Sequence, residues 1–233
     1  MAVGILAIFS GCLGTIARSA QQLDLQSIIQ HVDAAVQARI DNIVDYSATE
    51  HYAVFRNHDE VHPVAEMTVR AVYRKGQGKS YTTLSESGSA LIRSQVLHSV
   101  LDNEKRLSLP GNVETALIDS ANYVMELKPN QPQQLDGRDC LVLSLTPKRS
   151  SPYLFKGTLW VDANDYSILQ LEGTATKSPF FLTGAAQVSR QYAGISGFPM
   201  AMHASAISNS ALLGQTIVKI DYKDYQVNLG PAK

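Results

Sequence analysis

LVLSLTPKRSSPYLFKGTLWVDANDYSILQLEGT, Leu141 to Thr174, is the stretch that decides the fold. Leu141, Leu143 and Leu145 recur at every second position, as do Leu159 and Val161, so each set shares one face of a strand. Asn164-Asp165 is a turn pair, and Ile168 to Thr174 returns from it. Outward from this stretch the same period continues. Gln187 to Tyr192, Met200 to Ser208 and Thr216 to Val227 read as further strands. In the last, Val218, Ile220 and Tyr222 oppose Lys219, Asp221 and Lys223, the alternation of a sheet with one wet face. Towards the N-terminus, Tyr46 to Arg56, Glu66 to Arg74 and Lys79 to Leu84 also read as strands, with Gly76-Gln77-Gly78 as a turn. The polar stretch Pro129 to Arg138 reads as a loop.

Two segments break the pattern. Asp24 can cap a helix whose apolar positions are Leu25, Ile28, Ile29, Val32, Val36, Ile40, Ile43 and Val44. Ser89 can open a second helix to about Glu104, with Leu91, Ile92, Val96, Leu97, Val100 and Leu101 on one side. Val113 to Ile118 reads as a short third piece after Pro110-Gly111. A long antiparallel meander must cover its apolar face, and these helices are the only cover available. The expectation is an α+β fold: a strongly curved antiparallel sheet, an incomplete β-barrel, closed over by a few helices as plug or lid. One domain over residues 21–233 is expected, without internal repeat or low-complexity linker.

Residues Ala2 to Ile16 carry no charge, and Ala17-Arg18-Ser19-Ala20 follow. That run is shorter than the ~20 apolar residues of a membrane-spanning helix. It reads as a secretory signal peptide over residues 1–20, cut near Ala17 or Ala20, which places the protein outside the cytoplasm. Two other readings stay open: a retained anchor, and lipidation at Cys12 within Phe9-Ser10-Gly11-Cys12.

Composition excludes several classes. Across 233 residues, 45% are hydrophobic and 18% charged, which suits a folded domain rather than disorder. Lys and Arg number 20 against 21 Asp and Glu, so no basic excess is available for nucleic-acid phosphates. Two cysteines exclude a disulfide scaffold or a Cys-rich zinc module. His58-Asp59-Glu60-Val61-His62 imitates a zinc motif, but that chemistry needs a helix and Pro63 follows at once, so it reads as a polar turn. Gly76-Gln77-Gly78-Lys79-Ser80 imitates the end of a P-loop, but strand follows where a helix N-terminus is required. No Gly-x-Ser-x-Gly elbow is present. Cys140 sits mid-strand with no base in view. Asp162 and Asp165 flank a turn. No enzyme, metal or cofactor is expected.

The order helix, hairpin, helix, meander resembles the LolA/LolB-like superfamily of periplasmic lipoprotein carriers. The residues that carry the likeness are Leu135-Asp136-Gly137-Arg138 running into Leu141 to Leu145. Next come Lys156-Gly157-Thr158-Leu159-Trp160-Val161-Asp162 and Ile168 to Gly173. Val72-Tyr73-Arg74-Lys75 is similar to the family's early strand. The carriers place a proline after the basic pair, where this chain has Gly76, so no arginine role is carried over to Arg74.

The resemblance implies a half-barrel that holds lipid, or the acyl chains of a lipoprotein, in an apolar cavity, for carrying or sorting to the outer membrane. A lipid-sensing regulatory module that binds a membrane protein is the other reading. A periplasmic monomer is expected. The cavity candidates are Leu91, Ile92, Leu97, Val100 and Leu101 from the lid, and Leu143, Leu159, Trp160, Val161 and Leu171 from the sheet. Phe180, Phe181, Met200 and Met202 are candidates at the mouth. Plain core is the competing reading for each. The Ala90 to Glu104 helix is expected to move as the lid.

Overall fold

The computed structural model describes residues 24–130, 132–177, 186–210 and 214–231. The signal-peptide region, Cys12, Phe180 and Phe181 lie outside these described residues. Helix α1 (Leu25–Asn42) is followed by β1 (Ile43–Arg56), β2 (Ala65–Arg74) and β3 (Gly78–Gly88). Next come α2 (Ala90–Ile92) and α3 (His98–Leu107), joined by a single π-helical turn, Arg93–Leu97, and then a 3-10 turn at Val113–Ala116. The strands β4 (Tyr123–Leu127), β5 (Gln133–Leu135), β6 (Arg138–Pro147), β7 (Phe155–Asp162) and β8 (Ile168–Ala175) follow. The chain ends with β9 (Ala186–Ile195), β10 (Phe198–Ser210) and β11 (Gly214–Leu229).

All strands join one antiparallel sheet in the order β3-β2-β1-β11-β10-β9-β8-β7-β6-β4, with β5 paired to β6. The sheet does not close: β3 and β4 stand at its two ends. The curved antiparallel sheet with a helical cover is thus the architecture, as the strand periodicity predicts.

Local chemistry explains the boundaries. Asp24 caps α1 by accepting from the Gln26 N–H at 3.1 Å. The helix stops at Asn42, two residues before the apolar pattern does. Ile43 turns to extended backbone, gives its N–H to the Arg39 carbonyl, and opens β1 against Leu229. Ser89 caps α2 by accepting from the Ile92 N–H.

Strand β3 runs on past Leu84, where the strand pattern ends, through Ser85-Glu86-Ser87-Gly88. As the last strand of the sheet it has an open face, where serine and glutamate cost little. Asp59 accepts from the N–H groups of Val61 and His62, both at 2.9 Å, so the His58–His62 segment is a polar turn.

Two apolar clusters fill the concave side. In one, Val96, Leu97, Val100 and Leu101 pack on Tyr52, Val54, Met67 and Val69 of β1 and β2 and on Val218 and Ile220 of β11. In the other, Ile28 and Val32 of α1 pack on Met125, Leu141, Leu143, Leu145, Leu159, Val161 and Leu171.

Within the second half of the sheet, Gly157 of β7 stands opposite Gly173 of β8. A Cβ on Gly157 would lie 1.9 Å from the Glu172 carbonyl oxygen and 2.5 Å from the Gly173 Cα. Only glycine allows this backbone approach. Gly157→Ala is therefore expected to cost at least about 2 kcal/mol, from overpacking that no side chain can relieve. The urea midpoint of the variant checks this; a midpoint equal to the parent's would show that the strands separate freely.

Candidate functional site

Between the two clusters lies a cavity of about 290 Å³. Its roof is apolar: Val36 and Ile40 from α1, and Val113, Leu117 and Ile118 from the segment around the 3-10 turn. Its floor is the concave sheet, and that floor is polar. Tyr46, Tyr73, Tyr192, Tyr222 and Tyr225 line it, with Lys79, Glu104 and Arg190 among them and Arg39 at the α1 side. Tyr46 stacks on Tyr73 with ring centroids 5.2 Å apart, so the floor is a wall of rings carrying hydroxyls.

The polar floor is organised by one ion-pair chain. Inward positions of β1 read Tyr46, Ala48, Glu50, Tyr52 and Val54, all buried. Glu50 is thus a carboxylate on an otherwise apolar and aromatic face. Lys79, from β3, reaches across to it: Nζ lies 3.4 Å from Glu50 Oε1 and 2.7 Å from Glu104 Oε2 of α3. Tyr81 donates to the same Glu104 oxygen at 3.0 Å, and Tyr52 donates to Glu50 Oε2.

Burial pushes the Glu50 carboxyl above the usual carboxylate range, against the pull of Lys79. Burial acts the same way on Glu104, but Lys79, Arg190 and the hydrogen bonds outweigh it and hold that carboxyl low. Burial opposes the charge on Lys79 too, yet its two carboxylates keep it firmly protonated. The ion pair also docks the helix: the Ser108 hydroxyl, just past α3, accepts from the Lys79 N–H at 2.7 Å.

The residues marked from sequence are spread over several environments. Met200 is the one among those described that lines this cavity. Leu97, Val100 and Leu101 are buried in the first cluster, with Ile92 packed at its border, and Leu91 is exposed. Leu143, Leu159, Val161 and Leu171 are buried in the second cluster under α1. Met202 is half-buried. Trp160 packs with Cys140, Val142 and Leu169 in a separate cluster, and Leu159 and Val161 on either side of it join the α1 cluster instead. Burial also pushes the Cys140 thiol up, away from reactivity.

The charged residues of the floor escaped the sequence reading. Lys79 appeared there only as the start of a strand and as part of a false P-loop. The available signal was a charge at an inward position of a strand: Glu50 among Tyr46, Ala48 and Tyr52, and Arg190 between Val188 and Tyr192. Among the described residues no cluster of three or more His, Cys, Asp or Glu could hold a metal ion.

No family model and no curated protein matches this chain. Solved structures resemble it. A putative outer membrane lipoprotein-sorting protein domain from Vibrio parahaemolyticus is 15% identical, over 87% of this chain and 93% of that one, with a TM-score of 0.47. A LolA superfamily protein from Nitrosomonas europaea is 17% identical, over 88% and 94%, at 0.43. A DUF1329 family protein from Desulfovibrio piger is 14% identical, over 88% and 95%, at 0.42. These are likenesses of architecture at low identity, and they say nothing of ligand or partner.

Proposed function

We propose that this protein is an exported, non-enzymatic binding protein that holds a lipid or an acyl chain between its curved sheet and its helices, for carrying or sorting. The observation that carries the reading is the 290 Å³ cavity roofed by Val36, Ile40, Leu117 and Ile118. Its volume is about twice that of an engineered apolar cavity of ~150 Å³ that stays dry and takes up benzene. It lies near the lower end of the range for small-molecule sites, roughly 300–1,000 Å³.

The chemistry of the floor suits holding rather than turnover. Lys79 is kept charged between two carboxylates, so it offers no free amine as nucleophile. Burial holds the phenols of Tyr222 and Tyr225 well protonated, so neither stands ready as a base. Export rests on the uncharged run Ala2 to Ile16 and the small residues after it.

Native mass spectrometry of protein purified from its own host under mild extraction tests the reading. A bound species of acyl-lipid mass is the expected result. Protein that arrives free of ligand, and takes up none from added fatty acid or phospholipid, would overturn it.

A further inference from the structure

Three cations line the cavity, Arg39, Lys79 and Arg190, against one carboxylate, Glu104. Even with Glu50 counted behind Lys79, the site keeps a surplus of one positive charge. The three are differently engaged. Lys79 is matched on both sides, by Glu104 and Glu50. Arg39 donates from Nε to the Pro199 carbonyl at 3.1 Å and has a second guanidinium nitrogen 3.8 Å from the Met200 sulfur.

Arg190 stands apart. It lines the cavity from β9 as a solvent-exposed residue and forms no ion pair among the described residues. Its hydrogen-bond partner is the Tyr192 side chain, with Tyr222 and Glu104 acting on it from farther off. A guanidinium carries five N–H donors in a planar fork, so donors remain for a ligand in the cavity beyond the one that Tyr192 takes. Glu104 attracts it without coming within ion-pair distance, and the Oε2 atom of that carboxylate is taken by Lys79 at 2.7 Å and by Tyr81. A planar fork with free donors, walled by tyrosine rings, is the geometry that takes a carboxylate or a phosphate in two parallel hydrogen bonds.

We infer that the cavity takes an anionic amphiphile with a single alkyl chain, its carboxylate or phosphate on Arg190 and its chain under the roof of Val36, Ile40, Leu117 and Ile118. This deepens the lipid-holding reading and rests on it. The size limit comes from the volume: if ~150 Å³ takes up benzene, 290 Å³ takes up roughly twelve carbons, one chain rather than the several of a whole lipoprotein anchor. The charged end lies on the sheet side, because Arg190 belongs to β9 and the apolar surface lies opposite, on α1 and the segment after α3.

Calorimetric titration with dodecanoate, dodecyl phosphate and dodecanol at neutral pH tests this. At least one of the two anions should bind ten times more tightly than the alcohol, and whichever binds better identifies the headgroup. Arg190→Gln should bring that preference below about threefold while leaving dodecanol binding unchanged; Arg190→Lys, which keeps the charge but loses the fork, should retain only part of it.

Equal affinity of the wild-type protein for all three would overturn the anion site and leave lipid holding intact. Binding of none of the three would overturn both. An undiminished preference in a folded Arg190→Gln protein would remove Arg190 from the site. If that variant fails to fold, the wild-type comparison still decides between an anionic and a neutral ligand.

Discussion

Lys79→Met is expected to cost the protein about 3–5 kcal/mol at neutral pH, more than its position at the start of an end strand would suggest. The methionine fills much of the same space and keeps the stem's packing, so the loss is one of charge. It leaves Glu50 and Glu104 facing each other across a buried site without the ammonium between them, with the more distant Arg190 as the remaining cation beside Glu104. Removing one partner of a buried pair is costly because the other charge stays desolvated.

The pH dependence carries the signature. In the parent the two carboxylates act in opposite senses. Glu104 lies below its unfolded value, so its stabilisation is present above that value and is lost as pH falls through the folded one. Glu50 lies above its unfolded value, so its contribution is full below that value and is lost as pH rises through the folded one. Without Lys79 both carboxyls are raised. The variant should therefore recover stability as pH falls from 7 towards the ordinary carboxylate range, where the parent gains little. Urea unfolding across that range measures it. A deficit that is constant with pH would show that packing, not the charge chain, sets the cost.

This charge chain marks the limit of what the residues reveal in advance. Period-two runs such as Leu141-Leu143-Leu145 and Val218-Ile220-Tyr222 identify strands and their buried faces, because alternation against water is a local property. The helices are legible for the same reason: Ile28 and Val32 on one, Val96, Leu97, Val100 and Leu101 on the other, are buried as their spacing requires. The cavity is not local. Its floor brings together β3, β1, β9 and α3, so Lys79, Glu50, Arg190 and Glu104 meet only after the whole sheet has curled. Apolar periodicity also points away from them. It marks the best-packed positions, and those, such as Leu143 and Leu159, end in the core clusters rather than on the cavity wall.

Leu97→Asp should leave no folded protein to assay, whereas Ser94→Lys, on the exposed side of the same helix, should change stability by less than about 0.5 kcal/mol. Leu97 is fully buried against the first cluster. Truncating a core leucine to alanine already costs about 2–5 kcal/mol, and an unpaired carboxylate adds a desolvation penalty of several more. The sum reaches the whole stability of an ordinary domain, about 5–15 kcal/mol. The same arithmetic bears on how a ligand enters. Lifting the Ala90–Leu107 helix would expose Val96, Leu97, Val100 and Leu101, at roughly 1.5–3 kcal/mol each, and break the Glu104–Lys79 pair as well. On this arithmetic, lifting that helix is the costlier way to open the site.

The cheaper cover is the segment 109–121. Its 3-10 turn contains no buried residue. It is held instead by polar ties: Asn122 Nδ2 donates to the Glu114 and Leu117 carbonyls at 2.9 and 3.1 Å, and Arg149 donates to the Thr115 carbonyl. Val113, Leu117 and Ile118 there also line the cavity, so a bound chain would complete their burial and couple entry to closure. Hydrogen exchange should find 90–107 as protected as β1 and β11 in free protein. Segment 109–121 should exchange rapidly when free and at least tenfold more slowly when saturated with ligand. Fast exchange in 90–107 that ligand suppresses, with 109–121 unchanged, would return the role of lid to the helix.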